Sequence, residues 1–204
     1  MGGGYYTATA KVEAYIPATN SWDTTKADLL FARIASNAVV IDRTIYHAAG
    51  SYNRSECQAY CTTTNSCQQK TSIPYSLGQR GALSATAYNG FMYTFGGSNY
   101  PPWSALSAVC AYDPQSDGWT AKGNMPTPRF GFQTYLVKDK IYAIGGSQSY
   151  GTALAIVEVY DPVTNTWDVT SSPMPHAFVF FAGAVLNNKI YVIGGIEAWV
   201  TGGV

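Results

Sequence analysis

The sequence predicts an all-β protein, a β-propeller of about four four-stranded blades, on three observations. Small-residue pairs recur at Ala49-Gly50, Gly96-Gly97, Gly145-Gly146 and Gly194-Gly195, spaced 47, 49 and 49 residues apart. Each pair ends a short apolar run with a Tyr three residues before it, at Tyr46, Tyr93, Tyr142 and Tyr191. A second signature, Val157-Glu158-Val159-Tyr160-Asp161-Pro162 through Trp167, recurs as Ala111-Tyr112-Asp113-Pro114 through Trp119 and Val12-Glu13-Ala14-Tyr15-Ile16-Pro17 through Trp22. A fixed period of this length marks stacked units, none of which buries both faces alone.

The elements of one unit follow in order. An apolar strand from Phe132 to Val137 turns at Lys138-Asp139 into a second from Ile141 to Ile144. That strand ends at a glycine pair, where the backbone bends or approaches a neighbour more closely than a Cβ allows. A third strand, Ala155 to Tyr160, runs into Asp161-Pro162, a turn pair in which Pro presets φ and Asp bonds its own backbone. Trp167 opens an outer fourth strand, ended by Pro173 and Pro175. The whole chain, residues 1–204, reads as one domain of about sixteen short strands in four sheets. Its units end near Gly50, Gly97, Gly146 and Gly195, and no helix exceeds a turn or two.

The same register has the chain enter on the outer two strands of a blade, Lys11 to Tyr15 and Trp22 onward. It finishes on the inner two strands of another, with Phe178–Ile193 placed to complete the blade that Val12–Thr25 begins. Three arrangements follow: a closed four-bladed ring, an eight-bladed ring of two copies, or an open part of a larger propeller.

Composition narrows the function classes. Twelve Lys+Arg balance 12 Asp+Glu, which removes the electrostatic argument for nucleic acid or an anionic membrane as partner. A hydrophobic fraction of 47% excludes global disorder. No apolar run approaches the roughly 18 residues that cross a bilayer. Met1-Gly2-Gly3-Gly4 opens no signal peptide, and Tyr6 stands where myristoylation needs Ser or Thr. Low charge and clustered cysteines are compatible with secretion, so the compartment stays open.

The double glycine, its preceding Tyr and the Tyr-Asp-Pro…Trp turn resemble the kelch repeat over nearly the whole chain. The likeness is closest in the last two units, while Ile16 and Ala49 replace Asp and Gly in the first. The resemblance implies a propeller closed by strands from both ends. It also implies a non-catalytic interaction module, with no cofactor or metal, that binds a protein or an anionic or carbohydrate ligand at its rim.

The second unit departs from the pattern. Laid on the fourth, it puts Tyr60 under Tyr160, Asn65 under Asn165, Cys61 under Asp161 and Cys67 under Trp167. Two readings follow: a Cys61–Cys67 disulfide closing the hairpin, worth about 2 kcal/mol for so short a loop, or two free buried thiols. The C-x3-C-x5-C spacing and the lack of a nearby His argue against zinc. Cys57 and Cys110 fall at opposite strand parity and are not expected to pair.

Candidate ligand groups stand where each innermost strand begins. Arg33, Arg80 and Arg129 recur at 47 and 49 residues, with Phe178 in the fourth place and His176 two residues before it. Three guanidiniums at one mouth suit a carboxylate; the alternative is that each bonds loop carbonyls. Sialic-acid mutarotase-like propellers use such Arg-rich rims, which makes a carbohydrate enzyme the runner-up. Galactose-oxidase-like copper sites need two His, two Tyr and a Cys–Tyr link, and the chain's two His sit at unrelated registers. His47 reads as a packed or rim histidine, and Glu13 and Glu158, at one register, read as structural. The loop Ser98-Asn99-Tyr100-Pro101-Pro102-Trp103 is the candidate protein contact, through Tyr100 and Trp103.

Overall fold

A computed structural model describes residues 8–50, 54–77, 80–99, 104–149 and 151–197. The described residues open on a hairpin of β1 (Ala14–Ile16) and β2 (Ser21–Asp23). Blade I is a four-stranded antiparallel sheet of β3 (Asn37–Ile41), β4 (Thr44–Ala48), β5 (Cys57–Cys61) and β6 (Ser66–Lys70). A 3-10 turn at Tyr75–Leu77 leads to blade II: β7 (Ser84–Tyr88) and β8 (Phe91–Phe95), then β11 (Val109–Asp113) and β12 (Gly118–Lys122). Between these pairs lies a small hairpin, β9 (Ser98–Asn99) with β10 (Ser104–Ala105). Blade III holds β13 (Gln133–Val137), β14 (Lys140–Ile144), β15 (Val157–Asp161) and β16 (Thr166–Asp168). The hairpin β17 (Ala182–Leu186) and β18 (Lys189–Ile193) follows. The first three strands of blade III lie within two residues of the expected limits, β1 begins three residues past Lys11 and β17 four past Phe178, and β9–β10 was not foreseen.

Turn chemistry explains the hairpins. Each inner pair turns on left-handed residues: Asp42 (φ 55°), Asn89 and Gly90 (48° and 80°), Lys138 and Asp139 (47° and 61°), Asn187 and Asn188 (51° and 58°). Positive φ in a two-residue loop matches the right-handed twist of the strands it joins. At the bend after β8, Gly96 (φ 54°) lets the next blade approach: a Cβ there would lie 2.5 Å from the Arg129 carbonyl.

The repeat register appears in the sheets. Tyr46, Tyr93, Tyr142 and Tyr191 face Val39, Thr86, Tyr135 and Ala184, one per inner hairpin. Tyr15, Tyr112 and Tyr160 face Trp22, Trp119 and Trp167, while Tyr60 faces Cys67. The core lies between blades. Tyr46, Ala59, Met92 and Tyr112 fill the space between I and II; Tyr93, Phe95, Ile141 and Tyr160 fill that between II and III. Burying such side chains contributes about 1.5–3 kcal/mol each.

Two expectations are corrected here. The four cysteines are free, so the Cys61–Cys67 bridge does not form. Cys67 shares a face with its partner Tyr60, and Cys61, paired with Ser66, points to the other. Nor do the described residues form four complete sheets or a closed four-bladed ring. β1–β2 and β17–β18 remain separate two-stranded sheets. The innermost strands pack in sequence, β3 on β7, β7 on β13 and β13 on β17, and β17 makes no comparable approach to β3.

Candidate functional site

The three recurring arginines sit just before β3, β7 and β13, and all are buried. The bend at each small-residue pair turns backbone carbonyls inward, and the guanidinium takes them. Arg80 donates to the carbonyls of Gly96 (3.2 Å) and Ala108 (2.7 Å), to Thr94 Oγ1 (3.2 Å) and to Cys110 Sγ (2.6 Å). Arg129 donates to the carbonyls of Gly145 (3.1 Å) and Ile156 (3.3 Å) and pairs with Glu158 at 2.6 Å. Arg33 donates to the Ala49 carbonyl and lies 3.9 Å from Glu56. The expected cluster of open guanidiniums is therefore corrected: Arg33, Arg80 and Arg129 each tie together their own blade. Burial disfavours the charged form of Arg129, and Glu158 supports it.

The position beside each Arg is filled differently. On the second and third strands stand His47 with Gln58, Thr94 with Cys110, and Ala143 with Glu158. His47 is buried and both its ring nitrogens lack partners among the described residues. Burial first, and then the charge of Arg33, push its pKa down to about 4. It is a neutral packed histidine. Glu158, expected to be structural from its register, is confirmed in that place by its pairing with Arg129.

The concave mouth is built from the residues that follow each Arg. Ala35, Ala82, Gly131 and Phe180 share positive φ, at 50°, 51°, 62° and 54°. Their backbones form an inter-blade ladder: Ala82 donates to Ala35 (3.1 Å), Gly131 to Ala82 (3.0 Å) and Phe180 to Gly131 (2.7 Å). Beneath it, Ser84 and Thr134 hydroxyls meet at 2.8 Å, and Thr86 and Thr134 hydroxyls at 2.7 Å. The ladder frames a cavity of about 140 Å³ lined by Ser36, Asn37, Leu83, Phe132, Gln133 and Phe180 among others. That volume is below the roughly 300–1,000 Å³ of small-molecule sites.

The other candidates are scattered. His176 is exposed, 3.8 Å from Glu197 and 6.2 Å ring to ring from Phe178, so structure supplies an acidic neighbour that sequence did not reveal. Tyr100 and Trp103 lie outside the described residues. Among the described residues, no three His, Cys, Asp or Glu side chains gather as a metal site, and no helix is long and apolar enough to cross a membrane.

Comparison with known proteins places this geometry. The family model described as "KLHDC2/KLHL20/DRC7 Kelch-repeats domain" matches residues 1–195. Kelch-like protein terF of Aspergillus terreus is 29% identical over 97% of this chain and 46% of its own length. Kelch-like protein 7 of Rattus norvegicus is 39% identical over 45% of this chain and 15% of its own. The chain thus spans less than half the length of these curated relatives. In the solved structure titled "Structure of YjhT", the fold matches with a TM-score of 0.73 at 16% identity, over 83% of this chain and 60% of that one. That likeness shows a shared fold.

Proposed function

The chain belongs to the kelch-repeat family, and on that premise we propose that it is a non-catalytic protein-interaction module that binds at the mouth of its arc of blades. The observation that carries this reading is the mouth itself. Its rigid backbone ladder presents small, amide and aromatic groups around a cavity of about 140 Å³, room for one small side chain of a partner. Loops on a fixed frame are where such proteins vary their contacts. The loop holding Tyr100 and Trp103 follows β9, whose Ser98 bridges to Gly81 one residue before the ladder position Ala82. A carboxylated-sugar reading rested on open Arg33, Arg80 and Arg129, and their burial removes its support.

The test is affinity capture from a lysate of the source organism with the intact chain and with Ser36→Trp and Gln133→Trp, each of which plugs the mouth. A partner captured by the chain and lost by both variants, at unchanged melting temperature, supports the reading. Equal capture by all three moves the contact elsewhere.

A further inference from the structure

In blades II and III the buried arginine turns its Nη2 toward an acceptor on the second or third strand. Arg80 Nη2 donates to Thr94 Oγ1 (3.2 Å) on the second and to Cys110 Sγ (2.6 Å) on the third. Arg129 Nη2 pairs at 2.6 Å with Oε2 of Glu158, which stands where Cys110 does. The same two places in blade I hold His47 and Gln58, which face each other across β4 and β5. Where the other blades have a sulfur or a carboxylate, blade I has an amide.

That amide is turned so that it offers Arg33 no acceptor. Gln58 Oε1 accepts the Leu30 amide (2.7 Å) and the Cys67 thiol (3.3 Å), so the group presents N–H rather than oxygen on its other side. Gln58 Nε2, Arg33 Nε and Nη2 and both ring nitrogens of His47 are without a partner among the described residues. A neutral imidazole carries one N–H, so three side chains bring unmade donors together. They are also closed off: Arg33, His47 and Gln58 are 5%, 6% and 0% exposed. Buried donors left unpaired are costly, the more so beside a charge. The carboxylate nearest Arg33 is that of Glu56, at 3.9 Å, and it pairs more closely with Arg54, at 2.9 Å. Two arginines against one carboxylate leave one positive charge at the site.

We propose that blade I binds one small monovalent anion, of chloride size, between the Arg33 guanidinium, the Gln58 amide nitrogen and the His47 ring. The anion takes the part that the Glu158 carboxylate plays in blade III and supplies the missing negative charge. Each of the three residues donates an N–H to it, and the guanidinium bond is the strongest because it is charge-assisted. Glu56 opposes the anion, and its closer bond to Arg54 offsets that repulsion. Burial decides the size of the occupant. A peptide, sugar or nucleotide has no way to side chains this enclosed, whereas a single ion reaches them through local opening. Because Gln58 also accepts the Leu30 amide, the bound ion ties the segment before β3 to the sheet.

Thermal unfolding of the intact chain, with chloride exchanged for gluconate at constant ionic strength, tests this. The melting temperature should climb by about 3–5 °C for each tenfold rise in chloride above the dissociation constant. Gln58→Glu keeps the oxygen that Leu30 and Cys67 use and brings a carboxylate to Arg33, so this variant should melt independently of chloride. A wild-type melting temperature that ignores chloride overturns the proposal and leaves water as the occupant. A Gln58→Glu variant that keeps the full dependence overturns it too, by placing the ion elsewhere. Proton–nitrogen spectra of the chain's two imidazoles read the site in the folded protein, whether or not the Gln58 variant folds. The His47 ring signals, identified by their loss in His47→Thr, should shift with chloride and saturate, while those of the exposed His176 stay in place. A His47 ring indifferent to chloride overturns the proposal.

Discussion

The Tyr112 hydroxyl lies 2.5 Å from Asp117 Oδ1, and that same oxygen accepts the amide of Thr71 from the neighbouring blade at 3.0 Å. One carboxylate oxygen thus holds both its own hairpin and the next blade. Asp117 also sits at φ 48°, where Asp and Asn are tolerated better than other side chains.

Asp117→Ala therefore strands two donors and strains the turn, and should cost about 2–4 kcal/mol in denaturant unfolding. Asp117→Asn keeps the acceptor, as Asn65 and Asn165 do, and should cost less than about 1 kcal/mol. The Tyr112 bond, followed by the Thr71 amide, holds the Asp117 carboxyl below its usual range. A lowered folded pKa means that this stabilisation is complete above the ordinary carboxylate value and fades as pH falls through the folded one. The Asn variant should lose that acid dependence.

Arg129 and Glu158 are both buried at 2.6 Å. Removing one charge leaves the other uncompensated, so Arg129→Met should destabilise by about 3–5 kcal/mol. Arg129→Met with Glu158→Leu should recover most of that loss, because a packed apolar pair replaces two desolvated ions. Thermal unfolding of the single and double variants measures the difference; equal loss in both would assign the effect to the carbonyls of Gly145 and Ile156 instead.

Periodic features were legible in the sequence because a repeat writes each packing position several times. Tyr46, Tyr93 and Tyr142, and Tyr112 against Trp119, sit where the spacing put them. Direction was not legible. Whether Arg80 points into the mouth or folds back depends on how the bend at Gly96 aims its carbonyl, a property of φ rather than of residue type. The free state of Cys61 was within reach, since the alignment that put Cys67 under Trp167 also put it opposite Tyr60, on the other face from Cys61. Ring closure was beyond reach because the rotation per blade is the sum of many contacts, none of which is a motif.

His47 gives a pH window. Its folded pKa of about 4 lies below the ordinary value of 6.5, so the unfolded chain binds the extra proton between them. Stability from this site is full above about pH 6.5 and is lost as pH falls toward 4, by up to about 3 kcal/mol. The charged groups near it are Arg33 and, beyond, Glu56. His47→Thr copies the choice of blade II at Thr94. Unfolding free energies at pH 4.5 and 7 should differ less in that variant than in the wild type, and an unchanged difference would place the titration elsewhere.

Cys61 occupies the turn position that Asp113 and Asp161 hold in blades II and III. Those carboxylates accept turn amides: Gln115 donates to Asp113 at 2.9 Å and Val163 to Asp161 at 3.0 Å. In blade I the sulfur takes their place, and hydrogen bonds from the Thr64 hydroxyl and amide, then from Thr63, bring its pKa down to about 7. Cys57, buried in the core between blades, is pushed the other way, to about 12, by desolvation. Only the thiolate attacks an alkylating agent, so the two should separate cleanly. Iodoacetamide labelling followed by peptide mapping should modify Cys61 first, with a rate that rises through pH 7 and levels by about pH 8. Cys57 should label only on unfolding. Replacing Thr64 with Val removes the strongest donor and should shift the Cys61 profile toward the ordinary thiol value; a profile that does not move would mean the turn amides alone hold the thiolate.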